Sequence, residues 1–161
     1  MPNTNASDQG SDPTPSRDGE SAQSSASRSV GDPAKILELA VEAARLCSDD
    51  KCTDVVLLDV RGLSQVTDYI VIGTGSSDRQ MRSVLDHIED HGKALGFPAF
   101  RVSRDDRASW LLADFVDVVV HLFEPNARAH YDIEMLWGDA PKVTWRRPGT
   151  GKQSPPPNQG V

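Results

Sequence analysis

Four aspartates, Asp59, Asp68, Asp114 and Asp117, stand at the ends of apolar runs, where paired carboxylates could hold magnesium for nucleotidyl transfer. Such an enzyme wants two acids alternating on one strand soon after a Gly-Ser loop. Asp114 and Asp117 are three apart and some forty residues beyond Gly73-Thr74-Gly75-Ser76-Ser77. Carboxylates at strand ends more often cap turns. The Gly-Ser loop itself invites a phosphate, but position 78 is Asp where a dinucleotide fingerprint wants its third glycine, and no Gly-Lys-Ser/Thr follows. An acid at a helix N-terminus would occupy the dipole site and repel an anion. His87 and His91 lie at i and i+4 in His-Ile-Glu-Asp-His, a spacing able to hold zinc, but a third ligand has no clear candidate. These patterns predict no catalytic set, no metal and no cofactor.

A different chemistry is written between Ser109 and Trp137. Trp110–Ala113 and Val118–Phe123 are apolar runs flanking Asp114-Phe115-Val116-Asp117, which reads as a hairpin. A two-residue turn would pair Asp114 with Asp117, Leu112 with Val119 and Trp110 with His121. Side chains alternate along a strand, so Trp110, Leu112, Val119 and His121 would share one face, while Val118, Val120 and Leu122 face a core. A Trp and a His among aliphatics on one face, without a nucleophile or metal set, look built to bind. The same residues could equally pack within the sheet, and periodicity alone leaves both readings open.

The elements that must position this hairpin are legible. Asp32-Pro33 is a helix start, and Ile36, Ala40, Ala43, Ala44 and Cys47 form one helical stripe. Val55–Val60 reads as a strand buried on both faces and Tyr69–Ile72 as a second, ended by Gly73-Thr74-Gly75. Ser77 with Gln80 makes a capping box, opening a helix with Met81, Val84, Leu85 and Ile88 on one face and stopped by Gly96-Phe97-Pro98. Ala99–Val102 is a short strand. After the hairpin, Pro125-Asn126 opens a last helix with Ala129, Ile133 and Leu136 inward and Tyr131 on its flank. The order α-β-β-α-β-β-β-α predicts an α/β fold, a small mixed β-sheet covered by helices.

Composition frames this as one domain. Residues 1–32 are rich in Ser, Asp and Pro and cannot bury enough surface to offset ordering, and residues 146–161 are a Pro/Gly-rich tail of the same kind, leaving 33–145 as the folded part. The net charge is −7. The N-terminal tail carries five acids and two bases, and residues 138–161 carry four bases and one acid, so the acidity rests on the fold between them. An acidic fold contacts phosphate backbones poorly and suits a basic protein surface. No apolar run is long enough to span a membrane, no signal or transit peptide is evident, and Cys47 and Cys52 alone make no disulfide framework, which points to the cytoplasm. A homodimer is left open.

Taken in order, Leu58-Asp59-Val60, Thr67 through Ile72, Gly73 through Ser77, Trp110, Asp114, Asp117 through His121, and Tyr131 through Leu136-Trp137 resemble the ribosomal silencing factor family, also called Iojap-related proteins. The resemblance implies a nucleotidyltransferase-like fold without catalytic chemistry. It implies binding to the large ribosomal subunit through ribosomal protein L fourteen, a steric block to small-subunit joining, and lower translation when nutrients are short. Organellar relatives would act in large-subunit assembly. Trp110, Leu112, Val119 and His121 would form the docking surface, with Arg128 and Tyr131 carried over beside them. The alternative is a magnesium-dependent nucleotidyltransferase-like enzyme using Asp59, Asp68 or Asp117.

Overall fold

The computed structural model describes residues 31–104 and 109–149; the two tails assigned from composition lie mostly outside them. Helix α1 (Pro33–Asp49) starts as expected: Asp32 accepts the Ala34 N–H at 3.0 Å, and Pro33 occupies the first turn, where no amide donor is needed. Its stripe of Ile36, Leu39, Ala40, Ala43, Ala44 and Cys47 is buried. The small alanines let the helix lie close to the sheet. Helix α2 (Asp78–Ala94) buries Met81, Val84, Leu85, Ile88 and Gly92. The two helices pack side by side on one face of a five-stranded sheet.

The strands are β1 (Thr53–Asp59), β2 (Tyr69–Thr74), β3 (Arg101–Ser103), β4 (Trp110–Asp114) and β5 (Val118–Phe123), in the spatial order β1-β2-β5-β4-β3. Only β2 and β5 run parallel; the other neighbours are antiparallel. The mixed sheet covered by helices is therefore the architecture observed. Alternation sends Leu57, Val71, Leu111, Ala113, Val118, Val120 and Leu122 into the α1–α2 core. The opposite face carries a second, smaller cluster of Leu58, Val60, Ile70, Ile72 and Phe123, closed by Ala127 and Ala140. It is covered at one end by α3 (Pro125–Tyr131) and α4 (Ile133–Leu136).

Several expectations need correcting. β1 is not buried on both faces. It lies at the sheet edge, begins two residues earlier, and leaves Val55 and Val56 half-buried. A register shift between Thr53 and Val56 holds Asp54 at φ +49°, in the left-handed region. Beyond α4 the chain returns along β1: the Asp59 N–H donates to the Pro141 carbonyl at 2.9 Å, and the Val143 N–H donates to the Leu57 carbonyl at 2.8 Å. Arg147, placed in the C-terminal tail by composition, pairs with Asp49 at 3.0 Å. β2 runs two residues further than expected, through Gly73 and Thr74, and every residue in it is buried. The short strand before the hairpin is Arg101–Ser103 rather than Ala99–Val102.

The hairpin pairs Trp110 with Phe123, Leu112 with His121 and Asp114 with Val119, two residues further along β5 than expected. Phe115 is the reason. Left in the turn, its ring would face water; moved up the ladder, its N–H donates to the Val118 carbonyl at 2.8 Å and its side chain is buried in the α1–α2 core. The tip moves to Val116 and Asp117, with Val116 at φ +74° and its N–H accepted by the Asp114 carboxylate at 2.8 Å. Because the shift is by two residues, the sharing of faces survives.

Phe115 packs against Gly92. A Cβ at Gly92 would lie 2.7 Å from the Phe115 ring and 2.7 Å from the Phe97 carbonyl oxygen. Gly92→Ala gains about 1 kcal/mol of helix propensity but overpacks against fixed backbone, which costs about 1–3 kcal/mol. We expect the variant to be less stable in urea denaturation; a midpoint at or above that of the parent would show that this corner can relax.

Candidate functional site

Trp110, Leu112, Val119 and His121 do share one face, on the side of the sheet away from α1 and α2. Trp110 is half-buried. Its ring stacks on Phe123 at 5.1 Å between centroids and meets Tyr131 of α3 at 4.8 Å, while its Nε1–H donates to His121 Nδ1 at 3.1 Å. The two readings left open by periodicity both hold in part: the Trp packs within the sheet and also keeps a face in water. Accepting at Nδ1 assigns the His121 proton to Nε2. Burial pushes the His121 pKa down to about 4, against a smaller upward pull from Asp114, so the ring is neutral at physiological pH. Leu112 and Val119 are half-buried beside it. The arrangement offers aromatic and aliphatic contact area with no nucleophile in it.

Arg128 and Tyr131 come from α3, and α3 is held by Arg128. The guanidinium donates to the Asp54 carbonyl at 2.5 Å and to Thr74 Oγ1 at 2.8 Å, and it pairs with Glu134. The bulged backbone at Asp54 supplies that carbonyl. Arg128 thus fixes the helix against β1 and β2, and Tyr131, nearly one turn later, is laid over Trp110. Tyr131 remains 48% exposed.

The last helix is not continuous. Asp132 takes φ +33° and its N–H closes on the Arg128 carbonyl, ending α3; α4 restarts at Ile133. The inward set expected there, Ala129, Ile133 and Leu136, is replaced by Ala127 and a half-buried Ile133. Ala129 is exposed, and Met135 and Leu136 are 79% and 77% exposed. Sequence reasoning missed both as surface residues. The one available signal was Asp132 among helix formers, a residue that tolerates the left-handed region.

Residues 33–159 match the protein family described as "Ribosomal silencing factor during starvation". The chain belongs to the ribosomal silencing factor family. It is 40% identical over 99 residues to the ribosomal silencing factor of Bacillus subtilis, covering 62% of this chain and 84% of that one. It is 30% identical over 95 residues to the mouse protein named "Mitochondrial assembly of ribosomal large subunit protein 1", covering 57% of this chain and 42% of that one. A crystal structure of a Chromobacterium violaceum protein superposes with a TM-score of 0.59 at 32% identity, covering 67% of this chain and 88% of that one.

In this silencing-factor chain several of the groups that could have run a reaction are engaged locally. Asp59 accepts from Arg61 Nε and Nη2, at 3.0 and 2.7 Å, a hydrogen-bonded pairing that holds its carboxyl below the usual range. Asp114 caps the hairpin turn. Asp117 is buried, and burial, helped by nearby Asp68, raises its carboxyl. In the Gly-Ser loop, Ser77 Oγ accepts the Gln80 N–H, and the Gln80 side-chain oxygen takes the Ser76 N–H at 2.6 Å. The capping box forms, with its return bond shifted by one residue. His87 is engaged by Asp50 at 2.5 Å. Among the described residues no group of three or more His, Cys, Asp and Glu side chains could hold a metal ion, and no helix is long and apolar enough to cross a membrane.

Proposed function

We propose that this protein binds the large ribosomal subunit through ribosomal protein L fourteen and sterically blocks joining of the small subunit, lowering translation when nutrients are scarce. The observation that carries the reading is the half-exposed aromatic face of Trp110 and Tyr131, braced from behind by Phe123 and Arg128, on a chain of the ribosomal silencing factor family. Trp and Tyr held rigid at a surface lose little entropy on docking and are frequent interface anchors. Leu112, Val119 and His121 line the same strand pair, and Met135 and Leu136 follow Tyr131 within about a turn. The net charge of −7 favours a basic partner such as a ribosomal protein and disfavours direct contact with RNA phosphates. The name of the mouse relative supports the large subunit as the target and a part in its assembly. In this reading the protein is a cytoplasmic binding factor and not an enzyme.

Sedimentation tests the proposal. The purified protein is expected to migrate with free large subunits and to reduce the peak of joined ribosomes when small subunits and magnesium are added. Protein that stays at the top of the gradient while subunits associate normally would remove this function.

A further inference from the structure

The two cysteines lie outside the docking face. Cys47 sits in the last turn of α1 and is fully buried; Cys52, just ahead of β1, is 7% exposed. The Cys52 N–H donates to the Cys47 carbonyl at 2.8 Å. That backbone bond, with standard bond lengths, keeps the two Cα atoms at most about 6.7 Å apart, within the range a disulfide spans. Gly73 lies beside both: a Cβ there would be 3.2 Å from Leu122 Cδ2, 3.6 Å from the Cβ of Cys52 and 3.8 Å from that of Cys47, so both cysteine side chains start beside the same glycine.

Access is unequal. Cys52 lines an open cleft of about 680 Å³, between Ser48, Val56, Arg128 and Trp145, and Cys47 does not. We propose that Cys52 and Cys47 form a thiol–disulfide exchange site for small aliphatic disulfides entering this cleft, Cys52 attacking and Cys47 resolving. The Cys52 thiolate attacks one sulfur of the small disulfide, whose S–S bond breaks; the leaving thiolate takes up the proton Cys52 has lost. The thiolate of Cys47 then attacks the Cys52 sulfur, forming the Cys47–Cys52 bond and releasing the second small thiol with the proton from Cys47. Two protein thiols are oxidised by two electrons, and one small disulfide is reduced to two thiols. The electrostatics agree with the order: the neighbouring Cys47 thiol lowers the Cys52 thiol, while Cys52 and burial push Cys47 up. The product would link the end of α1 to the start of β1 without unfolding either.

The test is intact-protein mass spectrometry of the folded, reduced full chain exposed to glutathione disulfide. The wild type is expected to lose two hydrogens and retain no glutathione, Cys47→Ser to retain one glutathione on Cys52, and Cys52→Ser to retain none. In the wild type, iodoacetamide should modify Cys52 at least about tenfold faster than Cys47, a measurement that stands if a variant fails to fold. A wild type that stays reduced, or one that accumulates a stable glutathione adduct, overturns the proposal. So does alkylation at equal rates.

Discussion

Trp110→Ala is expected to weaken binding to the large subunit by about thirtyfold or more, corresponding to about 2 kcal/mol for a central aromatic anchor. The variant removes more than the exposed edge of the ring. Phe123 loses its stacking partner, Tyr131 loses the surface it lies on, and His121 loses the donor to Nδ1. A fully buried Trp truncation costs about 3–5 kcal/mol; Trp110 is half-buried, so about 2 kcal/mol of folding stability, or some 6–10 °C in melting temperature, is expected. Trp110→Phe separates the two effects, because a smaller ring still stacks on Phe123 but donates nothing to His121. Melting and subunit binding measured on both variants decide the matter. A folded Ala variant that binds like the parent takes Trp110 out of the docking face. An unfolded one assigns the ring to the core, and docking would then be sought at Tyr131, Met135 and Leu136.

Acid should destabilise this protein through His121 before it affects most of the carboxylates. In the unfolded chain a histidine titrates near 6.5, while folded His121 holds its neutral form down to about 4. Between those values the unfolded chain binds the proton and the folded one does not. The contribution is therefore fully present above about pH 6.5 and is lost as pH falls toward 4, by up to about 3 kcal/mol. Protonation would also place a hydrogen on Nδ1, where Trp110 donates, so the aromatic face loosens in the same window. Asp117, raised by burial, gives a slope of the opposite sign, and Asp59, lowered by Arg61, loses its contribution only further down the scale. Both are retained in His121→Gln. Urea midpoints measured from pH 7 to 4.5 should fall more steeply in the parent than in that variant. Superimposable curves would show that His121 is protonated within the fold without penalty.

What could be read from the chain alone followed from periodicity. The α1 stripe from Ile36 to Cys47, the α2 face from Met81 to Ile88 and the partition of the hairpin into Trp110-side and Val118-side faces all repeat at the period of their element, and the structure buries them accordingly. What could not be read depended on contacts distant in sequence. The hairpin register was decided by Phe115 finding space against Gly92 in α2. The setting of Tyr131 depends on Arg128 reaching Asp54, 74 residues away, through a carbonyl exposed by a bulge. The exposure of Leu136 depends on one left-handed residue, Asp132, that interrupts an otherwise acceptable helical pattern. The first two were set by tertiary packing that overrides local rules, the third by the backbone break at Asp132 itself.

The segment by which the chain returns along β1 has a bearing on how this protein behaves at high concentration. Unpaired amide and carbonyl groups along a sheet edge are a template for a neighbour's backbone, and sheets with bare edges stick to one another. Here Pro141 and Val143 occupy the groups of Asp59 and Leu57 that would otherwise point outward, and β3 at the other edge spans only three residues. Neither margin offers a long ladder to a second molecule. A chain cut after Trp137 would keep its helices, its hairpin and its aromatic face, yet uncover the β1 margin and become prone to aggregation. The smallest well-behaved form of this domain therefore ends beyond Val143, even though the last helix is complete at Leu136.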